Sequence, residues 1–275
     1  MLTGDGNAAN TGSEERDLYA LSPVPVRASL PRPDLPGHVI VRATAEDAVQ
    51  ALATDVFYQA NACVSAFSDF HIALPGGQTP EALYRTLMID PRYRSFPWKR
   101  THIWMTDERR VPQDDPRSNF LLLKETIVVH SDIPPEQVHA MPTDDDGDLR
   151  YEKELREHLE WRERGHDRLD FVLLGMGEDG HTASLFPHSP ALGARDQLVA
   201  CNDGPGVTPP PRITLTYTAI NAARFIAVLV LGKRKAPAIS AVTRRGSPQD
   251  LPILGVCPVG GELRWYLDAE ACANA

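Results

Sequence analysis

Short apolar runs that read as strands alternate with helical stretches along most of this chain, and that alternation admits little besides a layered α/β sheet. The run over 169–174 is apolar on both faces, which suits a parallel strand covered by helices on each side. Further strands are expected over 38–42, 70–74, 101–105, 213–216, 225–231 and 263–267. Helices are expected between them. One starts at a Thr44 cap with Glu46 and Asp47 in its first turn and ends near Ala66. Another has Thr79 as cap and Pro80 as first residue. Others run over 120–129, 151–164 and about 235–244. The predicted fold is α/β: a layered, mostly parallel sheet flanked by helices.

Residues 1–37 break this pattern. Glycine and asparagine come early, then Pro23, Pro25, Pro31, Pro33 and Pro36, with no helical or strand period. The stretch reads as a flexible N-terminal extension, and 38–275 as a single α/β catalytic domain without an internal linker. Twenty-eight Lys and Arg against 37 Asp and Glu give a net charge of -9, which argues against general nucleic-acid binding. Any anionic ligand therefore requires positive charge gathered locally. Cys63, Cys201, Cys257 and Cys272 form no C-x-x-C pair, so they read as thiols of a reducing compartment. The apolar run over 225–231 is far short of the ~20 residues of a membrane helix. The N-terminus shows no basic start followed by an apolar stretch, so a cytoplasmic protein is expected.

Ligands of such sheets bind beyond the C-terminal ends of the strands, and four unusual stretches fall at strand boundaries. Gly76-Gly77-Gln78-Thr79 lies between a strand and a helix. It is either a phosphate cradle, with free helix N–H groups and the Thr79 hydroxyl, or a tight turn that needs glycine. It lacks the Gly-Lys-Ser/Thr of a P-loop. Asp107-Glu108-Arg109-Arg110 follows an apolar strand. It is either a solvated charged loop or a site where Arg109 or Arg110 turns inward onto a phosphate. Its acids would then orient that arginine or bond sugar hydroxyls. In Gly175-Met176-Gly177-Glu178-Asp179-Gly180-His181-Thr182 the letters satisfy G-x-G-x-x-G, but Pro187 interrupts the helix a dinucleotide site requires. Here His181 stands beside Asp179. An imidazole exchanges protons near neutral pH, and a neighbouring carboxylate can orient it. No second His or Cys lies at metal-ligand spacing from His181. Last come Arg212, and Lys233, Arg234 and Lys235, at two more strand boundaries, either for solubility or closing on the same pocket. Ser184 lacks the G-x-S-x-G elbow, which disfavours an acyl-enzyme.

Four segments, in order, resemble the 6-phosphogluconolactonase family. They are Leu74-Pro75-Gly76-Gly77-Gln78-Thr79-Pro80; Trp104-Met105-Thr106-Asp107-Glu108-Arg109-Arg110-Val111-Pro112 with Ser118-Asn119; the stretch from Leu173 through Gly175-Met176-Gly177-Glu178-Asp179-Gly180-His181-Thr182 to Pro187; and Arg212-Ile213-Thr214-Leu215-Thr216 with Gly232 and Lys235-Ala236. The resemblance implies the fold shared with sugar-phosphate isomerases and glucosamine-6-phosphate deaminases. It also implies hydrolysis of 6-phospho-D-glucono-1,5-lactone to 6-phosphogluconate in the pentose phosphate pathway, with no cofactor and no metal. By position, His181 resembles the general base, held by Asp179. Gly76, Gly77, Gln78, Thr79, Asp107, Arg109, Arg212 and Lys235 form the implied substrate-binding set, Gln78 standing where Ser or Arg is commoner. The implied partner is a small phosphosugar lactone, with neither nucleic acid nor membrane, and a monomer or weak homo-oligomer is expected.

Two other functions fit parts of the pattern. Deaminases of this fold share the Asp-Gly-His stretch but continue with an Asn-Glu-Pro segment. Here Leu185-Phe186-Pro187 stands near that place and brings no carboxylate. A non-catalytic sugar-phosphate sensor would usually carry a DNA-binding module, and residues 1–37 are too rich in Gly and Pro for a helix-turn-helix.

Overall fold

The computed structural model describes residues 30–160, 167–204 and 206–274. Along the chain these form β1 (His38–Arg42), α1 (Ala45–Phe67), β2 (Phe70–Leu74), α2 (Gln78–Ile89), β3 (Thr101–Met105), β4 (Asp107–Arg109), α3 (Asn119–Thr126) and α4 (Gly147–Leu159). Then follow β5 (Phe171–Gly175), β6 (Val199–Asn202), β7 (Arg212–Leu215), α5 (Tyr217–Ala222), β8 (Phe225–Val230), α6 (Ala236–Thr243) and β9 (Glu262–Asp268). A six-stranded sheet of order β1-β9-β8-β5-β2-β3 is parallel throughout. Its central strands are buried along their length, because helices cover both faces: every residue of β2 and β8 is buried. This is the α/β sheet that the apolar runs predict.

Local chemistry sets the helix ends. The Thr44 hydroxyl accepts the Asp47 N–H at 3.1 Å, and α1 stops at Ser68 in a left-handed conformation with φ 71. The start of α2 differs from expectation. Gly77 is its cap, at φ +99, so Gln78 rather than Pro80 is the first helical residue. The left-handed turn at Gly77 brings the chain into the helix two residues sooner. Pro80 still fits there, because N–H groups of a first turn have no intrahelical acceptor. Between 120 and 130 the helix ends at Thr126 and continues only as a 3₁₀ turn.

A second, three-stranded antiparallel sheet of order β4-β7-β6 was not expected. It converts the predicted charged loop at 107–110 into a strand with Asp107 and Glu108 buried. Glu108 explains why that burial is stable. Its Oε1 accepts the N–H groups of Arg109 and Asn119 at 2.7 Å each, and its Oε2 accepts the Phe120 N–H at 2.8 Å and the Ser118 hydroxyl at 3.0 Å. The carboxylate thus satisfies the first turn of α3, whose N–H groups otherwise lack acceptors. Burial pushes the Glu108 carboxyl up; the three N–H bonds only partly offset it. A Glu108→Ala protein strands these donors in the interior. It is expected to lose about 3 kcal/mol of stability, read as a fall in urea midpoint.

Of the predicted N-terminal extension, residues 1–29 lie outside the described residues. Nearer the sheet, Leu35 is buried and Trp265 Nε1 donates to the Pro36 carbonyl at 2.7 Å. Residues 161–166, which include the last four of the predicted 151–164 helix, also lie outside the described residues. No helix among the described residues is long and apolar enough to cross a membrane.

Candidate active site

The strand order places the site. From β2 the chain continues to β3 on one side, while β5, β8 and β9 build outward on the other. The order therefore reverses between β2 and β5, and the loops leaving those strands part and open a crevice. A cleft of about 250 Å³ occupies this position, lined by the loop after β2, by Asp107 and Arg109, by Gly175–Gly177 and His181 after β5, and by Leu229–Leu231 and Lys235 after β8.

The loop after β2 presents Gly76, Gly77, Gln78 and Thr79 to the cleft. Because Gly77 has no side chain and α2 starts behind it, the free N–H groups of the first turn face an open space suited to an anion. Tyr84 donates to the Pro75 carbonyl at 2.5 Å and ties the helix to the loop. On the opposite wall, β4 settles which arginine turns inward. Arg109 lines the cleft, held by its Nη1 donating to the Arg117 carbonyl at 2.6 Å. Arg110 points away, to Asp145 and the Thr143 carbonyl. Asp107 Oδ2 accepts the Ser184 hydroxyl at 2.6 Å, which fixes the carboxylate at the cleft wall. Lys235 lines the cleft while Lys233 and Arg234 are exposed, so one of these three bases enters the site. Burial pushes the Lys235 amine down, against the attraction of Glu178 and Asp179.

His181 is 33% exposed, and its Nδ1 lies 2.6 Å from Asp179 Oδ1, which also accepts the His181 N–H at 3.2 Å. The carboxylate therefore assigns the ring proton to Nδ1 and leaves the lone pair on Nε2. Burial acts to raise the Asp179 carboxyl, but the hydrogen bond and charge of His181 outweigh it and hold it below the ordinary aspartate range. The loop shape is kept by Gly177 N–H to the His181 carbonyl (2.8 Å) and by the Thr182 hydroxyl to the Gly175 carbonyl (2.8 Å).

Arg212 stands directly across from Arg109 in the β4–β7 register and feels the charges of Arg109 and Asp107, one step back from the cleft lining. Its guanidinium is buried 5.8 Å from the Phe186 ring, which lies 4.7 Å from His181. Nε and Nη1 of Arg212 have no hydrogen-bond partner among the described residues, and burial pushes its pKa down. Asn119 and Phe186 are site residues to which sequence reasoning gave no role. Asn119 Nδ2 donates to the Asp107 carbonyl at 2.9 Å, bracing the wall. Both fall inside the quoted motifs, which is the signal that marks them.

Fold and cleft define the class: a doubly wound α/β protein with a cation-bearing crevice at its topological switch point. The chain belongs to the glucosamine-6-phosphate isomerase/6-phosphogluconolactonase family, whose model matches residues 43–265. A 6-phosphogluconolactonase of Nostoc sp. is 41% identical over 211 residues, 74% of this chain and 84% of that protein. The GDH/6PGL endoplasmic bifunctional protein of Homo sapiens is 39% identical over 242 residues, 84% of this chain, and the chain spans 30% of that relative's length. Among solved structures, the 6-phosphogluconolactonase of Thermotoga maritima superposes with a TM-score of 0.70 at 28% identity, covering 84% of this chain and 99% of that one. A monomeric glucosamine-6-phosphate deaminase, at 21% identity and TM-score 0.72, shares the fold.

Proposed function

We propose that this protein hydrolyses 6-phospho-D-glucono-1,5-lactone to 6-phospho-D-gluconate, the lactone-opening step of the pentose phosphate pathway, in the cytoplasm. The observation that carries the reading is the Asp179–His181 pair at 2.6 Å beside a cleft that gathers Arg109, Lys235 and the start of α2. The cations and helix N–H groups hold the phosphate, and Asp107 is placed to accept from sugar hydroxyls.

The chemistry follows from the tautomer. Nε2 of His181 removes a proton from water as its oxygen attacks the lactone carbonyl. The carbonyl becomes an oxyanion, stabilised by loop N–H groups and the nearby cations. Collapse of that intermediate breaks the bond to the ring oxygen, which takes the proton back from Nε2. One water is consumed, and a carboxylate and a proton are released at neutral pH. Asp179 stays ionised throughout and balances the transient imidazolium.

The deaminase alternative is less well supported. Among the described residues that line the cleft the only carboxylate is Asp107, and the stretch from Thr182 to Pro187 after His181 brings none. Beside His181 stands the Phe186 ring instead. Mixing the protein with freshly made 6-phosphogluconolactone is expected to release protons well above the spontaneous rate, and glucosamine 6-phosphate is expected to yield no ammonia. Ammonia release, or binding of either compound without turnover, would overturn the proposal.

A further inference from the structure

Four histidines far apart in sequence, His71, His102, His139 and His158, gather around Trp104. They lie toward the N-terminal half of β2 and β3, and none of them lines the cleft. We propose that three of them, His102, His139 and His158, form a binding site for a divalent transition cation of the Zn2+ type. One ring nitrogen from each lies within 4.8 Å of those of the other two. His102 Nδ1 and His139 Nε2 are 2.9 Å apart. Two nitrogens bound to one tetrahedral zinc are about 3.4 Å apart, given zinc–nitrogen bonds of about 2.1 Å. The His102–His139 contact is a hydrogen bond from His102 Nδ1–H to His139 Nε2, so an ion enters as His102 changes to the Nε2-protonated tautomer, the pair parts by about half an ångström and the half-buried His158 rotates.

The surroundings prepare the rings for this. His139 Nδ1 is 2.6 Å from Glu154 Oε1, and His158 Nδ1 is 2.9 Å from the Glu154 carbonyl. With both Nδ1 atoms donating to Glu154, the lone pairs of both rings sit on Nε2. For His139 this is the carboxylate–histidine arrangement that orients metal ligands, and for His158 a backbone carbonyl takes the carboxylate's place. The rings are held as well. Trp104 stacks on His139 at 3.7 Å between centroids, and the His139 N–H donates to the Ile103 carbonyl at 2.9 Å, fixing that loop to the edge of β3. His102 and His158 are partly exposed, which leaves the ion a route in. A second grouping, Asp69 with His71 and His102, is less suited: His71 is 1% exposed and its Nδ1 already accepts from Trp104 Nε1 at 3.0 Å. Imidazole ligands favour Zn2+, Co2+, Ni2+ or Cu2+ over Mg2+ or Ca2+.

The test uses the full chain freed of metal by a chelator. Zn2+ titration followed by calorimetry is expected to show one site per chain, and Zn2+ is expected to raise the melting temperature. Co2+ is expected to give visible absorption bands of a nitrogen-bound ion. Glu154→Gln is expected to weaken Zn2+ binding by about 10- to 100-fold. His158→Ala, a change on the partly exposed face of α4, is expected to weaken it at least as much while circular dichroism stays native. His181→Ala is expected to leave it unchanged. Binding as tight in His158→Ala as in the unaltered chain, or binding lost in His181→Ala, overturns the site. So does the absence of Zn2+ binding in the unaltered chain.

Discussion

A His181→Ala protein is expected to lose about 10²- to 10⁴-fold of its lactonase rate, the contribution of one positioned general base. The loss is expected in kcat, because His181 acts on water and the ring oxygen while Arg109, Lys235 and α2 hold the phosphate. Stability is expected to change little. The side chain is partly exposed and meets Asp179, Gly177 and Phe186 at the loop. The measurement is the initial rate of proton release with spontaneous hydrolysis subtracted, alongside a urea unfolding curve. A variant that keeps most of the rate would remove His181 from the mechanism. A variant that fails to fold would show up in the unfolding curve, and His181→Gln then gives the same readout with a larger, polar side chain.

The second large effect comes from a residue with no functional group. A Cβ built on Gly177 lies 2.1 Å from His181 Nδ1 and 2.4 Å from Asp179 Oδ1, the two atoms of the hydrogen bond. Gly177→Ala cannot coexist with that pair in its present place. Both side chains stand at the surface of the loop, so they swing aside at modest cost to folding. What is lost is the orientation of Nε2, and a misplacement of about 1 Å costs on the order of 10²-fold in rate. The expected outcome is a kcat about 10²-fold lower with KM nearly unchanged and a melting temperature within a few degrees of the original. An equal fall in stability and rate would mean that the loop as a whole, not the pair, had been disturbed.

Much of the fold and part of the site are legible without coordinates. β8 is apolar on both faces, and a parallel sheet covered on both sides is what buries it. The Asp179–His181 contact is two residues long, so a single glycine-rich turn is enough to close it. The small sheet was hidden for the opposite reason. β4 is Asp107-Glu108-Arg109, with no apolar period, and its strand character comes from pairing with β7 and from α3 capped on Glu108. The same pairing decides that Arg109 faces the cleft and Arg110 does not. It also sets Arg212 directly across from Arg109, with its guanidinium 5.8 Å from the Phe186 ring.

The sequence by itself therefore determined the α/β alternation, the loops at the strand ends, and the imidazole with its neighbouring carboxylate. Each of these is written in periodicity or in residues close along the chain. Tertiary structure alone decided where the cleft opens, which of several adjacent bases enters it, and that His102, His139 and His158 meet. Those outcomes depend on contacts between segments tens of residues apart, where strand order and a buried carboxylate, not local pattern, choose the partner.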